Sequence, residues 1–350
     1  LYEALARWLH RVPGSLVISN IGAFALFSAL TGSSPATCAA IGKMGIPEMR
    51  KRGYDDDLAT GAIAAGGTLG ILIPPSITMI LYGIASETSI GRLFIAGIIP
   101  GLLLTALFMA WALFLSWKRG TRLVDDDRIY TLKEKLELLP RLLPFIVVII
   151  GVVYALYGGI ATPSEAAGVG AMLCLLMVMV IYRVWRPMEL WVILRAGLCE
   201  SGMLLLIIGA SILFGYMMSS LQVTQSVAES IAAMQVNKWV VFAAINLLLL
   251  VAGMFLPPAA IILMTTPILM PVITAAGFDP IWFGVVLTIN MELGLITPPV
   301  GLNLFVINGI CPDVKLPTIL KGALPFMGCM VVAILLLCVF PGLATWLPAK

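Results

Sequence analysis

Apolar residues along this chain come in runs, separated by short polar or charged stretches. Residues 94–117, 143–160, 166–182, 197–217 and 324–343 meet or approach the roughly 20 residues that a helix needs to cross a bilayer. Two other regions break into arms too short to cross. Residues 16–30 end at Thr31-Gly32-Ser33-Ser34-Pro35, and a second short arm follows before the charged stretch 48–57. Residues 240–252 end at Gly253-Met254-Phe255-Leu256-Pro257-Pro258, and a second short arm runs to Ala276. Two short arms around such a tip predict a re-entrant hairpin, which enters and leaves by the same face. The last two runs, 58–85 and 281–309, are long enough to cross but are broken in the middle. One carries Gly66-Gly67-Thr68-Leu69-Gly70-Ile71-Leu72-Ile73-Pro74-Pro75-Ser76 and the other Met291-Glu292-Leu293-Gly294-Leu295-Ile296-Thr297-Pro298-Pro299-Val300-Gly301. Proline there removes a backbone donor and frees a carbonyl that hydrocarbon does not satisfy. Irregular backbone at that depth is expected where it lines a cavity or binds an ion, as in secondary transporters.

The polar stretches complete the outline. Residues 1–14 predict an interfacial amphipathic helix, with Leu1, Ala4, Leu5, Trp8 and Leu9 apolar and Arg7, His10 and Arg11 polar. The charged connection 118–142 carries Leu132, Leu136 and Leu139 at helical spacing and predicts a second helix lying along the interface. The start at Leu1, with no signal-like segment, is expected to lack its native N-terminus. The expected units are 1–14, a first repeat at 15–117, the cytoplasmic connection at 118–142, and a second repeat at 143–346.

The repeat rests on one constant offset without gaps. It pairs Pro47 with Pro271, Gly53 with Gly277, Tyr54 with Phe278, Asp55 with Asp279, Leu69 with Leu293, Gly70 with Gly294, Pro74 with Pro298 and Pro75 with Pro299. Charge sets its handedness. Arg50-Lys51-Arg52 precede the first Gly-aromatic-Asp turn, whereas Thr274-Ala275-Ala276 precede the second, so by the positive-inside rule only the first turn is cytoplasmic. Following the spans places residues 118–141, Arg183, Arg186, Arg195, Lys315 and Lys321 inside and only Arg92, Lys238 and Lys350 outside. The fold expected is an all-α polytopic membrane protein, an inverted repeat with two re-entrant hairpins and two discontinuous transmembrane helices.

Composition agrees. The 350 residues are 61% hydrophobic and 11% charged, against roughly 25% charged in soluble domains. The net charge of +3 carries no nucleic-acid signal, because the basic residues lie between spans. Cys38, Cys174, Cys199, Cys311, Cys329 and Cys338 form no Cys-x-x-Cys pair and read as small packing residues and free thiols.

Candidate chemistry gathers at the tips and breaks, where half-helix N-termini favour anions and loose carbonyls and hydroxyls suit Na⁺. The first half offers Ser33, Ser34 and Thr37 at its tip and Thr68 and Ser76 at its break, with carbonyls around Gly66 and Gly70. Singly, each hydroxyl reads as helix–helix glue; as a cluster beside Pro74-Pro75 they read as an alkali-cation site. The second half offers Asn290, Glu292, Thr297 and Asn303, with carbonyls near Gly253 and Leu256. Glu292 reads equally as a proton or cation site and as an acceptor for helix-end amides. Glu165, after Thr162-Pro163-Ser164, reads as a helix cap, and Glu200 as a residue near the interface. An enzyme has little to stand on. The single histidine, His10, lies outside the spans, and neither a His-Glu-x-x-His motif nor a phosphate-binding loop occurs.

Six motifs in this order carry a family resemblance: Ser28-Ala29-Leu30-Thr31-Gly32-Ser33-Ser34, Arg52-Gly53-Tyr54-Asp55, Leu72-Ile73-Pro74-Pro75-Ser76, Leu93-Phe94-Ile95-Ala96-Gly97-Ile98-Ile99-Pro100-Gly101, Ala161-Thr162-Pro163-Ser164-Glu165-Ala166-Ala167, and the run from Glu292 to Asn303. Over essentially its whole length the chain resembles the large membrane (permease) subunit of TRAP transporters, the tripartite ATP-independent periplasmic family, with about two N-terminal spans missing. The resemblance implies an elevator-type fold like that of the ion transporter superfamily, in the bacterial inner membrane. It also implies Na⁺-coupled import of organic anions such as C4-dicarboxylates or sialic acids, with Na⁺ as coupling ion and no other cofactor. A periplasmic binding protein and a small four-helix membrane subunit are the implied partners. A symporter that needs no binding protein and an ion channel are the alternatives.

By the same resemblance, a first Na⁺ site falls to Ser33, Ser34, Thr37, Gly66, Thr68 and Gly70. A second falls to Gly253, Leu256, Pro257, Gly294, Thr297 and Val300, and Ser76, Asn290, Glu292 and Asn303 are expected to face the substrate. At the second hairpin tip, where family members often carry an acid, this chain has Leu256-Pro257-Pro258.

Overall fold

The computed structural model describes residues 15–118, 160–181, 183–226 and 236–349, with isolated positions between 143 and 155 and at 229. The expected helix at 1–14, residues 119–142 of the connection and part of the span at 143–160 lie outside the described residues. All regular structure among the described residues is helical. The first half contains α1 (Ser15–Thr31), α2 (Ser34–Lys51), α3 (Asp56–Gly67), α4 (Leu69–Leu72), α5 (Ile77–Ala85) and α6 (Ile90–Lys118). The remainder contains α7 (Pro163–Val180), α8 (Pro187–Ser220), α9 (Lys238–Gly253), α10 (Pro258–Ala275), α11 (Pro280–Leu295), α12 (Leu302–Ile310), α13 (Leu316–Val339) and α14 (Gly342–Thr345).

Five of these, α6, α7, α8, α10 and α13, are long and apolar enough to cross a membrane. The segment made by α3, α4 and α5 is a sixth if counted whole, bent by 44° at its break. α10, read from the sequence as a hairpin arm, is an 18-residue apolar helix that holds Pro267 and Pro271 inside it.

Helix boundaries repeat with the sequence. α2 and α10 begin at Ser34 and Pro258 and end at Lys51 and Ala275, and α3 and α11 begin at Asp56 and Pro280, each pair 224 positions apart. The turns between them match in detail. Gly53 and Gly277 have φ of 75° and 76°, the left-handed conformation that glycine adopts without a Cβ penalty. Around them the Gly53 N–H donates to Arg50 O (3.0 Å) and Tyr54 N–H to Met49 O (3.1 Å), as Gly277 N–H does to Thr274 O (3.0 Å) and Phe278 N–H to Ile273 O (3.1 Å). This paired bonding closes a helix C-terminus on its own carbonyls. Asp279 then caps α11 by accepting from Ile281 N–H (2.8 Å) and Trp282 N–H (2.9 Å). Both breaks carry a cis peptide bond, Pro74-Pro75 and Pro298-Pro299.

Two helices differ from their expected spans. α8 begins ten residues before 197, because Arg186 and Pro187 provide a helix start and nothing in Met188–Arg195 stops it. Its 34 residues reach about 51 Å, well beyond a hydrocarbon core of about 30 Å, so Arg195 and Glu200 sit on a continuous helix. α13 likewise starts at Leu316, taking in Lys321. Thr162 and Glu165 form the expected cap of α7, with Thr162 N–H donating to Glu165 Oε2 (2.7 Å) and Glu165 N–H to Thr162 Oγ1 (3.4 Å).

The core is built on the first halves of the two broken helices. Every residue from Leu58 to Gly67 of α3 and from Trp282 to Leu295 of α11 is buried. α3 crosses α13 at Gly61 and Gly322 so closely that a Cβ on Gly322 would lie 1.7 Å from the Asp57 carbonyl oxygen. α6 closes the core against α13, with Phe108 edge-on to Phe326 at 5.3 Å. The two halves interlock: α5 packs on α10 of the second hairpin, and α12 packs on α2 of the first. Tyr82 of α5 fixes this interlock by donating to the Pro280 carbonyl (2.7 Å).

Candidate functional site

Each hairpin tip is seated on the break of its own half. In the first half, Gly32 at the tip approaches the Pro75 carbonyl, and a Cβ on Gly70 would lie 3.1 Å from Thr37 Oγ1 and 3.3 Å from the Ser33 carbonyl oxygen. Thr37 donates to that Ser33 carbonyl (2.7 Å) and meets the Thr31 hydroxyl. Ser33, Thr37 and Gly70 are therefore brought together. The other three residues expected with them are not. Thr68, between α3 and α4, donates to Ala65 O at the end of α3 (2.5 Å), Gly66 is covered by the Phe24 ring, and Ser34 turns its hydroxyl toward the other half.

In the second half, Gly294 packs directly on the backbone of Gly253, and the Val300 N–H donates to the Met254 carbonyl (3.3 Å). Gly253, Gly294 and Val300 thus meet at the second break. Thr297, just past α11, commits its hydroxyl to Leu293 O in the last turn of that helix (2.5 Å). Leu256 and Pro257 stand exposed at the tip.

The four residues expected to face substrate are all buried and divide among three places. Ser76 caps α5, accepting from Met79 N–H (3.2 Å). Asn290 donates to both the carbonyl (2.8 Å) and the side-chain oxygen (2.7 Å) of Asn246 on α9. Asn303, on α12, donates to Ser34 Oγ (2.8 Å) and to the Ala64 carbonyl (3.2 Å). Glu292, near the end of α11, lies against the same Ser34 hydroxyl and close to Cys38. Its two oxygens are without a hydrogen bond of good geometry among the described residues, and so is Asn303 Oδ1. Glu292 and Asn303 therefore converge on Ser34, so that the first hairpin tip touches the second broken helix.

Sequence reasoning missed Asn246 and Tyr82. Asn246 was visible as the one amide inside the apolar run of α9, yet only the fold shows that it faces Asn290. A single tyrosine in a broken span carries no signal of its distant carbonyl partner. At the far end of α2, Arg50 bridges Asp56 (2.7 Å) and Asp313 (2.7 Å), and its guanidinium holds the Asp313 carboxyl below the ordinary aspartate range.

These tips and breaks lie in a chain with clear relatives. The family described as "Tripartite ATP-independent periplasmic transporter, DctM component" matches residues 1–343. The C4-dicarboxylate TRAP transporter large permease protein DctM of Pseudomonas aeruginosa is 38% identical over 341 residues, 96% of this chain and 78% of that protein. The sialic acid TRAP transporter large permease protein SiaM of Vibrio cholerae is 35% identical over 338 residues, 96% of this chain and 78% of that protein. The ectoine TRAP transporter large permease protein TeaC of Halomonas elongata is 33% identical over 351 residues, 99% of this chain and 80% of that protein. With its apolar helices and a match that runs nearly end to end, the chain is a multi-pass membrane protein and belongs to the large permease subunits of the tripartite ATP-independent periplasmic transporters.

Proposed function

We propose that this chain is the permease of a Na⁺-coupled secondary transporter of the inner membrane that imports small organic anions delivered by a periplasmic binding protein. A small membrane subunit completes the complex. The observation that carries this is the pairing of tips and breaks. Each hairpin tip closes on the break of its own half, and the second half of each broken helix packs on the opposite hairpin. Together with the constant 224-residue offset and the basic flank that precedes the first turn but not the second, this supports an inverted repeat in which the tips enter from opposite faces. Two tips seated on broken helices suit alternating access by an elevator-like movement better than an open pore.

The oxygens support Na⁺ rather than a softer ion. The first tip and break offer the Ser33 carbonyl and Thr37 hydroxyl, hard neutral donors suited to an alkali cation. The second offers backbone carbonyls, since Leu256 and Pro257 bring no polar side chain.

Substrate class follows the relatives, whose names cover C4-dicarboxylates, sialic acid and ectoine. The test is uptake of labelled succinate, N-acetylneuraminate and ectoine into proteoliposomes holding the complete complex, with its binding protein outside. Uptake of one of these that needs both an inward Na⁺ gradient and the binding protein is the expected result. Uptake without the Na⁺ gradient removes the coupling ion from the proposal, and uptake without the binding protein removes that partner.

A further inference from the structure

The Glu292 carboxylate is the one fully buried acidic side chain among the described residues, and nothing in the tip-and-break pairing uses it. Burying a carboxylate without a partner is strongly unfavourable, and such a group persists where a cation or a proton compensates it. Its surroundings hold acceptors. Asn303 directs both bonds of its amide nitrogen to Ser34 Oγ and Ala64 O, which leaves Asn303 Oδ1, on the same side chain, buried and unpartnered. Ser34 Oγ already accepts from Asn303 and keeps a lone pair. Charged side chains on the helices around α11 sit elsewhere: Arg92, Lys118, Lys238 and Lys321 are all exposed. The titratable neighbour is Cys38, whose thiol is buried and brings no positive charge.

We propose that Glu292, Asn303 Oδ1 and Ser34 Oγ form a monovalent-cation site at the seam between the first hairpin tip and the second broken helix, with the Glu292 carboxylate as its charged ligand. Four oxygens with a single negative charge match one alkali cation; a divalent ion would leave net positive charge in an apolar core. The site differs from the one at Ser33, Thr37 and Gly70 in drawing its ligands from both halves of the chain. Occupancy therefore ties the first tip to α11 and α12, and an empty site favours their separation. The inference extends the transporter reading by adding a charged cation ligand that the two tip-and-break pairs lack.

The test uses the purified full-length protein and needs no transport. Infrared difference spectra between NaCl and choline chloride are recorded at constant ionic strength, alongside thermal unfolding midpoints over a NaCl titration. Wild type is expected to show a Na⁺-dependent shift of carboxylate stretching bands that E292Q lacks, and E292Q is expected to need about tenfold more Na⁺ or worse for half of the stabilisation. N303L, which keeps the carboxylate, is expected to retain the bands at altered frequency, and it decides the matter if E292Q does not fold. A protonated-acid band in wild type that Na⁺ leaves unchanged, or Na⁺ bands identical in wild type and N303L, overturns the proposal. These readouts stay interpretable if uptake proves independent of Na⁺, which would remove the coupling claim and leave the site.

Discussion

The two hairpins share a backbone plan and differ in chemistry. At matching positions the first break has Gly66, Thr68 and Gly70, and the second has Asn290, Glu292 and Gly294. The first tip is held by side chains: Thr37 on the Ser33 carbonyl, Asn303 on Ser34, and Arg50 on two aspartates at the far end of the arm. The second is held by backbone contact between Gly253 and Gly294 and by the Asn246–Asn290 pair midway along its arm, while its tip residues Leu256 and Pro257 are exposed. One frame thus supports two kinds of closure. The first is built from oxygens, where an ion can contribute; the second is built from close packing, where volume decides.

The sharpest way to break this comparison is to add one methyl group at the matched glycines. A Cβ on Gly294 would come within 2.8–2.9 Å of three backbone atoms of Gly253, which have no rotamer to yield. On Gly70 the closest atom is the Thr37 hydroxyl at 3.1 Å, a side chain that can move. Gly294→Ala is expected to cost about 3 kcal/mol, the upper end for overpacking, and Gly70→Ala clearly less. Thermal unfolding of the two variants in detergent measures this, and equal losses would mean that the second closure does not depend on backbone contact. Next in size is Asn246→Leu. It leaves the buried Asn290 amide without its partner, a loss of about 2 kcal/mol, and the first half offers no counterpart because Gly22 and Gly66 occupy the matching positions. A wild-type unfolding midpoint in Asn246→Leu would show that the amide pair does not hold the second arm.

A smaller effect separates the tips by their response to Na⁺. Ser34 and Pro258 are matched, and only Ser34 carries a hydroxyl. Ser34→Ala is expected to weaken the apparent Na⁺ affinity about fivefold, the equivalent of losing one contact of about 1 kcal/mol, whereas Pro258→Ala leaves it near wild type. A NaCl titration of the unfolding midpoint reads both. Equal shifts would place the Na⁺ response outside the first tip.

Much of this frame was legible in the sequence because glycine and proline act locally. Gly53 and Gly277 mark left-handed turns, Pro74-Pro75 and Pro298-Pro299 mark breaks, and a constant offset survives wherever both halves keep the same backbone. Long-range partners were not legible. That Ser34 faces Asn303 and Glu292 rather than Thr68 depends on how α12 crosses to α2, which no local pattern encodes. The starts of α8 and α13 were missed for a related reason. Charged residues such as Arg195 and Lys321 end an apolar run but do not end a helix, whose backbone bonds continue into water.

The smallest expected effect tests the far end of the first hairpin, where Arg50 ties Asp56 and Asp313 and the second half has Thr274 in the matching place. Because Arg50 holds the Asp313 carboxyl below its ordinary range, the tie favours the folded state at pH values above that range. It is lost as pH falls through the depressed folded value, where the carboxyl takes up its proton. The pair is exposed and screened by salt, so its contribution is minor. Asp313→Asn is expected to lower the unfolding midpoint slightly at neutral pH and low ionic strength, with the difference closing both in high salt and as pH drops toward the aspartate range. A difference that stays constant across pH and salt would assign the loss to packing at the α12–α13 turn rather than to charge, and the first hairpin would then be anchored at its tip alone.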